Sequence, residues 1–86
     1  MQEYDNNFSN IEDFMDCLNR GCEVEFIYRN KIYSITHDQK KIIVYEVNNE
    51  SSEKEYDDSI AALKYQIDDK FLADILSEMK ITFRTF

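Results

Sequence analysis

The sequence predicts a small α+β domain, in which a three-stranded antiparallel meander packs on helices in the order α-β-β-β-α-α. Residues 22–47 alternate apolar and polar side chains with the period of half-buried strands. On either side of this segment, apolar residues recur every three or four positions, as in helices that bury one face. The 86 residues are enough for one compact core, so residues 1–86 are predicted to form a single domain.

The first element is predicted to be a helix over residues 9–20. Ser9 and Glu12 have the spacing of a capping box, in which each side chain accepts a hydrogen bond from a free backbone N–H. One apolar stripe follows as far as Leu18. Gly21, the only glycine, stands where a left-handed residue would end the helix. The residues before the helix, 1–8, lack periodicity and are expected to be frayed.

The first two strands are predicted to form a tight hairpin. Asn30-Lys31 supplies a two-residue turn, because asparagine tolerates the positive φ that such turns need. This turn places Tyr28 opposite Tyr33 and Phe26 opposite Ile35, so that apolar residues meet across the strands.

The second hairpin turns within residues 37–41, and its register stays open. One register places Ile43, Tyr45 and Val47 beside the second strand's core residues, and a slip by one residue places Ile42 and Val44 there. Both faces of this third strand are therefore apolar. We expect the protein's own helices to cover both faces, with a partner on one face as the alternative.

The second half of the chain is predicted to hold a polar loop and two helices. Residues 48–58 are expected to form the loop, with a short edge strand around residues 54–56 at most. Ser59 is predicted to cap a short helix that ends near Tyr65. Asp68 or Asp69 is predicted to cap a last helix. Residues 81–86 alternate weakly, which leaves a strand, a docked extension and a frayed end as alternatives.

Two segments carry a resemblance. The first is Gly21-x-Glu23-Val24-Glu25-Phe26-x-Tyr28 with Lys31-x-Tyr33-Ser34-Ile35-Thr36, and the second is Ile67-Asp68-Asp69-Lys70-Phe71-Leu72. From Ser9 to Met79 the chain resembles a group of short proteins from low-GC Gram-positive bacteria and their mobile elements. The resemblance implies the same opening helix and hairpin. It departs at Asn30-Lys31, where many such proteins have Asn-Gly, and it implies no activity and no functional residues.

The net charge of −8 is unevenly distributed. Residues 1–25 and 48–79 each carry −6, whereas residues 26–47 and 80–86 each carry +2. A chain without a basic stripe would repel a phosphate backbone, so direct nucleic-acid binding is not expected. A basic protein partner is favoured, although a solvated surface explains the same charges. The polar N-terminus and the lack of a run of ~18 apolar residues predict a cytoplasmic protein without membrane contact.

Catalytic and metal-binding patterns are weak in this chain. His37 lies beside Asp38 at a predicted strand end, and we expect it to be a solvated turn residue. Cys17 and Cys22 lack the spacing and partners of a zinc site, which favours two reduced, partly buried thiols. The paired aspartates are explained by helix capping, and one glycine cannot form a phosphate-binding loop. We therefore predict a protein that is not an enzyme and that uses no metal and no cofactor.

The sequence instead predicts a protein-interaction module that occupies a partner's surface. A sharper hypothesis is a phage or mobile-element inhibitor of a defence nuclease, similar to anti-CRISPR proteins that imitate a phosphate backbone. The acidic residues predicted to bind the partner are Glu50, Glu53, Glu55, Asp57, Asp58, Glu12, Asp13 and Asp16. The alternatives are a small enzyme that uses His37 and a homodimer or protein complex held by exposed aromatic residues. These aromatic residues are Tyr4, Phe8, Tyr56, Tyr65, Phe83 and Phe86.

Overall fold

A five-stranded antiparallel sheet is the centre of the structure, a computed structural model that describes Phe8 and residues 10–85. Its strands are β1 (Val24–Tyr28), β2 (Lys31–Asp38), β3 (Lys41–Glu46), β4 (Asn49–Tyr56) and β7 (Lys80–Arg84). Their spatial order is β4-β3-β2-β1-β7, so β4 and β7 form the two edges. A separate two-stranded hairpin consists of β5 (Gln66–Ile67) and β6 (Lys70–Phe71).

The helices are α1 (Ile11–Asn19), α2 (Ser59–Ala62) and a 3₁₀ helix (Leu72–Glu78). Their buried side chains form one hydrophobic core with one face of the sheet. Its largest fully buried members include Phe14, Leu18, Leu72 and Ile75 from the helices, with Phe26, Ile35, Val24 and Val44 from the strands. The predicted α+β class is confirmed. The predicted order α-β-β-β-α-α and the three-stranded meander are wrong, because β4 and β7 extend the sheet and β5–β6 lies between the helices.

The first hairpin turns one residue earlier than predicted. Arg29 and Asn30 occupy the turn with φ of 52° and 68°, which is the conformation of a type I′ hairpin turn. Phe26 therefore faces Tyr33 and not Ile35, and the two rings stack with centroids 5.3 Å apart. The predicted register is wrong by two residues. Since the side-chain period of a strand is two, this shift leaves every residue on its predicted face.

The second hairpin has the same kind of turn, at Gln39 and Lys40 with φ of 50° and 70°. The register pairs Val44 with Ile35, which is the second of the two predicted alternatives. The predicted loop over residues 48–58 is largely wrong, although the short edge strand expected around residues 54–56 lies within β4, which is an edge strand. Residues 49–56 form the eight-residue strand β4, which pairs with β3 although its own sequence is polar.

The helix caps differ from the predicted ones. Asn10 caps α1, since its side chain accepts a hydrogen bond from the Asp13 N–H at 2.8 Å; the predicted cap, Ser9, lies outside the described residues. Asp58, not Ser59, caps α2 through the Ala61 N–H. These two side chains satisfy N–H groups that a helix leaves free at its start.

Two further predictions concern the ends of elements. Gly21 has φ of +86° and ends α1, as predicted. Its N–H bonds to the Leu18 carbonyl, and the next N–H, of Cys22, bonds to the Cys17 carbonyl, which together form a Schellman motif. Asp68 and Asp69 do not cap a helix, because they form the turn between β5 and β6.

The C-terminal segment is a paired strand. β7 runs antiparallel to β1, and Ile81 is buried beside Phe26. The Glu23 N–H donates to Thr85 Oγ1 at 2.8 Å, and the Thr85 N–H donates to the Glu23 carbonyl at 2.9 Å. Of the predicted alternatives for residues 81–86, the strand is confirmed as far as Arg84; Phe86 and residues 1–7 lie outside the described residues.

Candidate interaction surface

The face of the sheet opposite the helices, named the open face below, is lined by apolar side chains. Ile27 and Ile32 pair across β1 and β2 on this face, and Ile43 and Tyr45 lie on it in β3. Phe83 lies at its edge in β7, beside Glu25. Ile32 is 44% exposed and Phe83 is 50% exposed. Apolar residues on an uncovered sheet face are typical of surfaces that bind another molecule.

The expectation that the protein's own helices cover both faces of the sheet is therefore wrong. β1 and β2 show why: Phe26, Tyr28, Tyr33 and Ile35 are buried against the helices, while the residues between them point to the other face. Two short helices and one short 3₁₀ helix are enough to cover one face only. The sequence signal for this open face is the apolar character of both faces of β3.

The acidic residues of β4 border this open face. In β4, Ser52, Lys54 and Tyr56 line a cleft on the helix side, so the alternating residues Glu53 and Glu55 point to the open face. Glu55 lies directly beside Ile43 in the β3–β4 pair. Glu50 is exposed near the start of the strand. Among the described residues, none of these three carboxylates has an ion pair.

Most of the other predicted acidic residues already interact within the protein. Asp16 pairs with Arg20 at 2.9 Å, and the Asp13 carboxylate lies 3.8 Å from Arg84. Asp57 pairs with Lys41. Asp58 accepts the Ala61 N–H as a helix cap, and Glu12 is exposed in the first turn of α1 without an ion pair to any described residue.

The predicted acidic surface is thus divided between two layers of the fold. Glu53 and Glu55 point from the open face, whereas Glu12, Asp13 and Asp16 belong to α1, which packs on the other face. One flat partner surface cannot contact both groups in the same way. Of the predicted acidic residues, Glu53 and Glu55 of β4 lie on the open face, where Glu55 is beside the partly buried Ile43.

The predicted aromatic residues have different environments. Tyr65 is buried, and Tyr56 and Phe8 are half-buried against the core. Phe8 packs on Phe14, and the Arg84 guanidinium lies 4.1 Å from the centre of the Phe8 ring. Of this set only Phe83 is an exposed aromatic residue in the described chain; Tyr4 and Phe86 fall outside it.

The cysteines have the state predicted for them, two free thiols, and both are buried. Burial, reinforced by a hydrogen bond with Cys22, raises the pKa of the Cys17 thiol to about 12. A thiol with this pKa stays protonated at neutral pH, so it is a poor nucleophile and a poor metal ligand.

His37 is not the solvated turn residue that the sequence predicts. It lies in β2, partly buried, and its Nε2 is 2.8 Å from the Leu18 carbonyl. Because a carbonyl only accepts, Nε2–H donates this bond, which attaches the end of α1 to the sheet. His37 also lines a cleft of about 380 Å³ with Asp57 and Asp58. The two aspartates are engaged by Lys41 and by the helix N–H, so this arrangement is explained by structural roles.

The described residues were also compared with the requirements of a metal site and of a membrane-spanning helix. Within residues 10–85, no group of three His, Cys, Asp or Glu side chains is placed to hold a metal ion. No helix in the described part of the chain has the length and apolar character needed to cross a membrane. Comparison of the chain with protein-family models, with curated proteins and with solved structures finds no match.

Proposed function

We propose that this protein is a non-catalytic interaction module that occupies the surface of a protein partner through the open face of its sheet. The observation that carries the proposal is that the three helices within residues 10–85 lie on one side of the sheet, which leaves Ile27, Ile32, Ile43, Tyr45 and Phe83 on the other. An apolar centre with a polar border is the usual composition of a protein interface.

The size of the open face indicates how much of the molecule takes part. The apolar residues lie on β1, β2, β3 and β7. Four strands about 4.8 Å apart span roughly 19 Å, and five residues of a strand span about 17 Å, which gives this apolar centre a projected area of roughly 330 Å². A stable interface buries about 800 Å² on each partner. The apolar centre is therefore too small alone, and the border with Glu50, Glu53 and Glu55 is expected to contribute.

The border also defines the chemistry of the partner. Glu53, Glu55 and Glu25 are positioned to meet lysine or arginine side chains around an apolar patch. Two copies of this chain stacked through their open faces would bring these carboxylates together in a molecule of net charge −8. The charge therefore favours a basic protein over a second copy.

A narrower form of the proposal is an inhibitor that imitates a phosphate backbone and blocks a nuclease's basic groove. It is supported by Glu53 and Glu55, which lie on the same side of an edge strand about 6.8 Å apart, and which form no ion pair with any residue that the structure describes. Regularly spaced negative charges are what lysine and arginine side chains bind in a nucleic acid.

The test is capture of a partner from extracts of the native host, followed by purification of the complex. The Ile32→Ser and Phe83→Ser double variant should lose the partner that the wild-type protein retains. Ile60→Ser is the matched control, because Ile60 is 62% exposed on α2, on the opposite side of the sheet. A partner retained equally by all three proteins would contradict the role of the open face.

The charged border is tested with a second pair of variants. Glu53→Lys with Glu55→Lys should weaken binding of the same partner and reduce its salt dependence, whereas Glu12→Lys on α1 should change little. In the inhibitor form, the wild-type protein should also block the partner's nucleic-acid binding at one-to-one stoichiometry. If the β4 and α1 reversals have equal effects, only the general negative charge matters, and the proposed border is refuted.

A further inference from the structure

A second candidate site lies on the other side of the sheet. It is a cleft of about 640 Å³ between the edge strand β4 and the β5–β6 hairpin. Its volume is in the range of small-molecule sites, roughly 300–1,000 Å³. The side chains that define its chemistry are three lysines and three tyrosines: Lys31, Lys54, Lys64, Tyr33, Tyr56 and Tyr65.

The charge of this cleft differs from that of the whole molecule. Within the described part of the chain, four of the ten basic side chains form ion pairs, and the three lysines of the cleft are not among them. Two acidic residues also line the cleft: Asp68 is paired with Arg29 at 3.3 Å, whereas Glu46 keeps its negative charge. In a protein of net charge −8, this is therefore a concave region in which three ammonium groups outnumber two carboxylates.

The tyrosines add hydrogen-bond donors to the same region. Tyr65 donates to the Ser52 carbonyl at 3.0 Å, whereas the hydroxyls of Tyr33 and Tyr56 have no hydrogen-bond partner among the described residues. Burial, and after it the charge of Glu46, raises the pKa of Tyr33 to about 12, and burial raises the pKa of Tyr56. Both hydroxyls therefore keep their protons at neutral pH and can donate to an anion.

An exposed aromatic ring completes the site. Phe71, in β6, lines the cleft and is 44% exposed. In contrast, Ile67 of the paired strand β5 is buried. An exposed phenyl ring beside ammonium groups can stack on a planar ring whose phosphate the lysines hold. Neither the charges nor the ring are needed to explain the fold.

We propose that this cleft binds a phosphorylated ligand of nucleotide size, with its phosphate at Lys31, Lys54 and Lys64 and its base on Phe71. The phosphate accepts charge-assisted hydrogen bonds from the ammonium groups and the two tyrosine hydroxyls. This site lies on the opposite side of the sheet from the open face, so it does not depend on the proposed protein interface.

Calorimetric titration of the full chain with ATP, AMP, adenosine, pyrophosphate and a single-stranded oligonucleotide tests this proposal at low ionic strength. ATP and AMP should bind, and adenosine should bind much more weakly because it lacks the phosphate. Lys54→Ala and Lys64→Ala should each lower ATP affinity about tenfold, which is ~1.4 kcal/mol. Phe71→Leu, which keeps an apolar side chain, should weaken ATP binding and leave pyrophosphate binding unchanged.

Lys80→Ala is the matched control, because Lys80 is exposed on β7, has no ion pair among the described residues and does not line the cleft. It should change ATP affinity less than about twofold, ~0.4 kcal/mol. The proposal is overturned if none of the phosphorylated compounds binds, or if Lys80→Ala has the same effect as Lys54→Ala. It is also overturned if single-stranded oligonucleotides bind much more tightly than ATP, since the ligand would then be a nucleic acid.

Discussion

Replacement of Gly21 by alanine should destabilise the protein by about 1 kcal/mol, from backbone conformation alone. Gly21 has φ of +86°, and a Cβ added there meets nothing within 4 Å, so the substitution causes no clash. The left-handed conformation costs an L-residue about 1–2 kcal/mol. The smaller conformational freedom of alanine in the unfolded chain offsets roughly 0.4–1 kcal/mol of this cost.

Urea and thermal unfolding followed by circular dichroism measure the effect. For a domain of this size, a loss of about 1 kcal/mol lowers the melting temperature by about 4–8 °C. Gly21→Asn is the control, because asparagine adopts positive φ more readily and should lose less stability. The reasoning is refuted if the alanine variant is as stable as the wild type, or if asparagine is worse than alanine.

Three further predictions concern the core, the helix cap and pH. Ile75→Ala removes a fully buried side chain and should lower the free energy of unfolding by about 2–5 kcal/mol in urea; a loss under ~1 kcal/mol would contradict its burial. Asn10→Ala should lower the free energy of unfolding by about 1 kcal/mol, because alanine cannot accept the hydrogen bond from the Asp13 N–H. Asn10→Asp keeps an acceptor and should lower it much less; equal losses in the two variants would exclude the cap. Burial raises the pKa of Cys17 from 9.0 to about 12. Between these two pH values the folded state therefore binds more protons than the unfolded state, so the free energy of unfolding should fall as pH rises above about 9. In Cys17→Ala the free energy of unfolding should decrease less steeply with pH. If it decreases as steeply as in the wild type, other titrating groups cause the pH dependence.

The strand and helix patterns near the N-terminus were predictable from local sequence. The alternation around Phe26 and the apolar stripe of α1 each reflect burial of one face, which a single segment encodes by itself. Gly21 marked the end of α1 because only a left-handed residue closes a helix in this way.

The turns and β4 were not predictable in the same way. Arg29-Asn30 and Gln39-Lys40 form type I′ turns without glycine, so the usual signal for such turns is missing, and the predicted register of the first hairpin differs from the observed one by two residues. β4 is polar except for Tyr56, and its strand conformation comes from pairing with β3, since tertiary context overrides local propensity in strands.

The open face and the lysine cleft could not be derived from local patterns either. An apolar residue in a strand predicts that one face of the strand is buried. Which face the helices cover depends on the path of the whole chain. The three lysines of the cleft come from β2, β4 and the segment after α2, and only the folded sheet brings them together.

The pairing of β1 with β7 affects how the protein can fold during synthesis. β1 lies between β2, which follows it immediately, and β7, which is translated more than fifty residues later. A nascent chain therefore exposes one edge of β1 until Thr85 has left the ribosome, and its central sheet stays incomplete during that time. Contacts of such long sequence separation are slow to form, so this interval is when the chain is most open to aggregation and to chaperones.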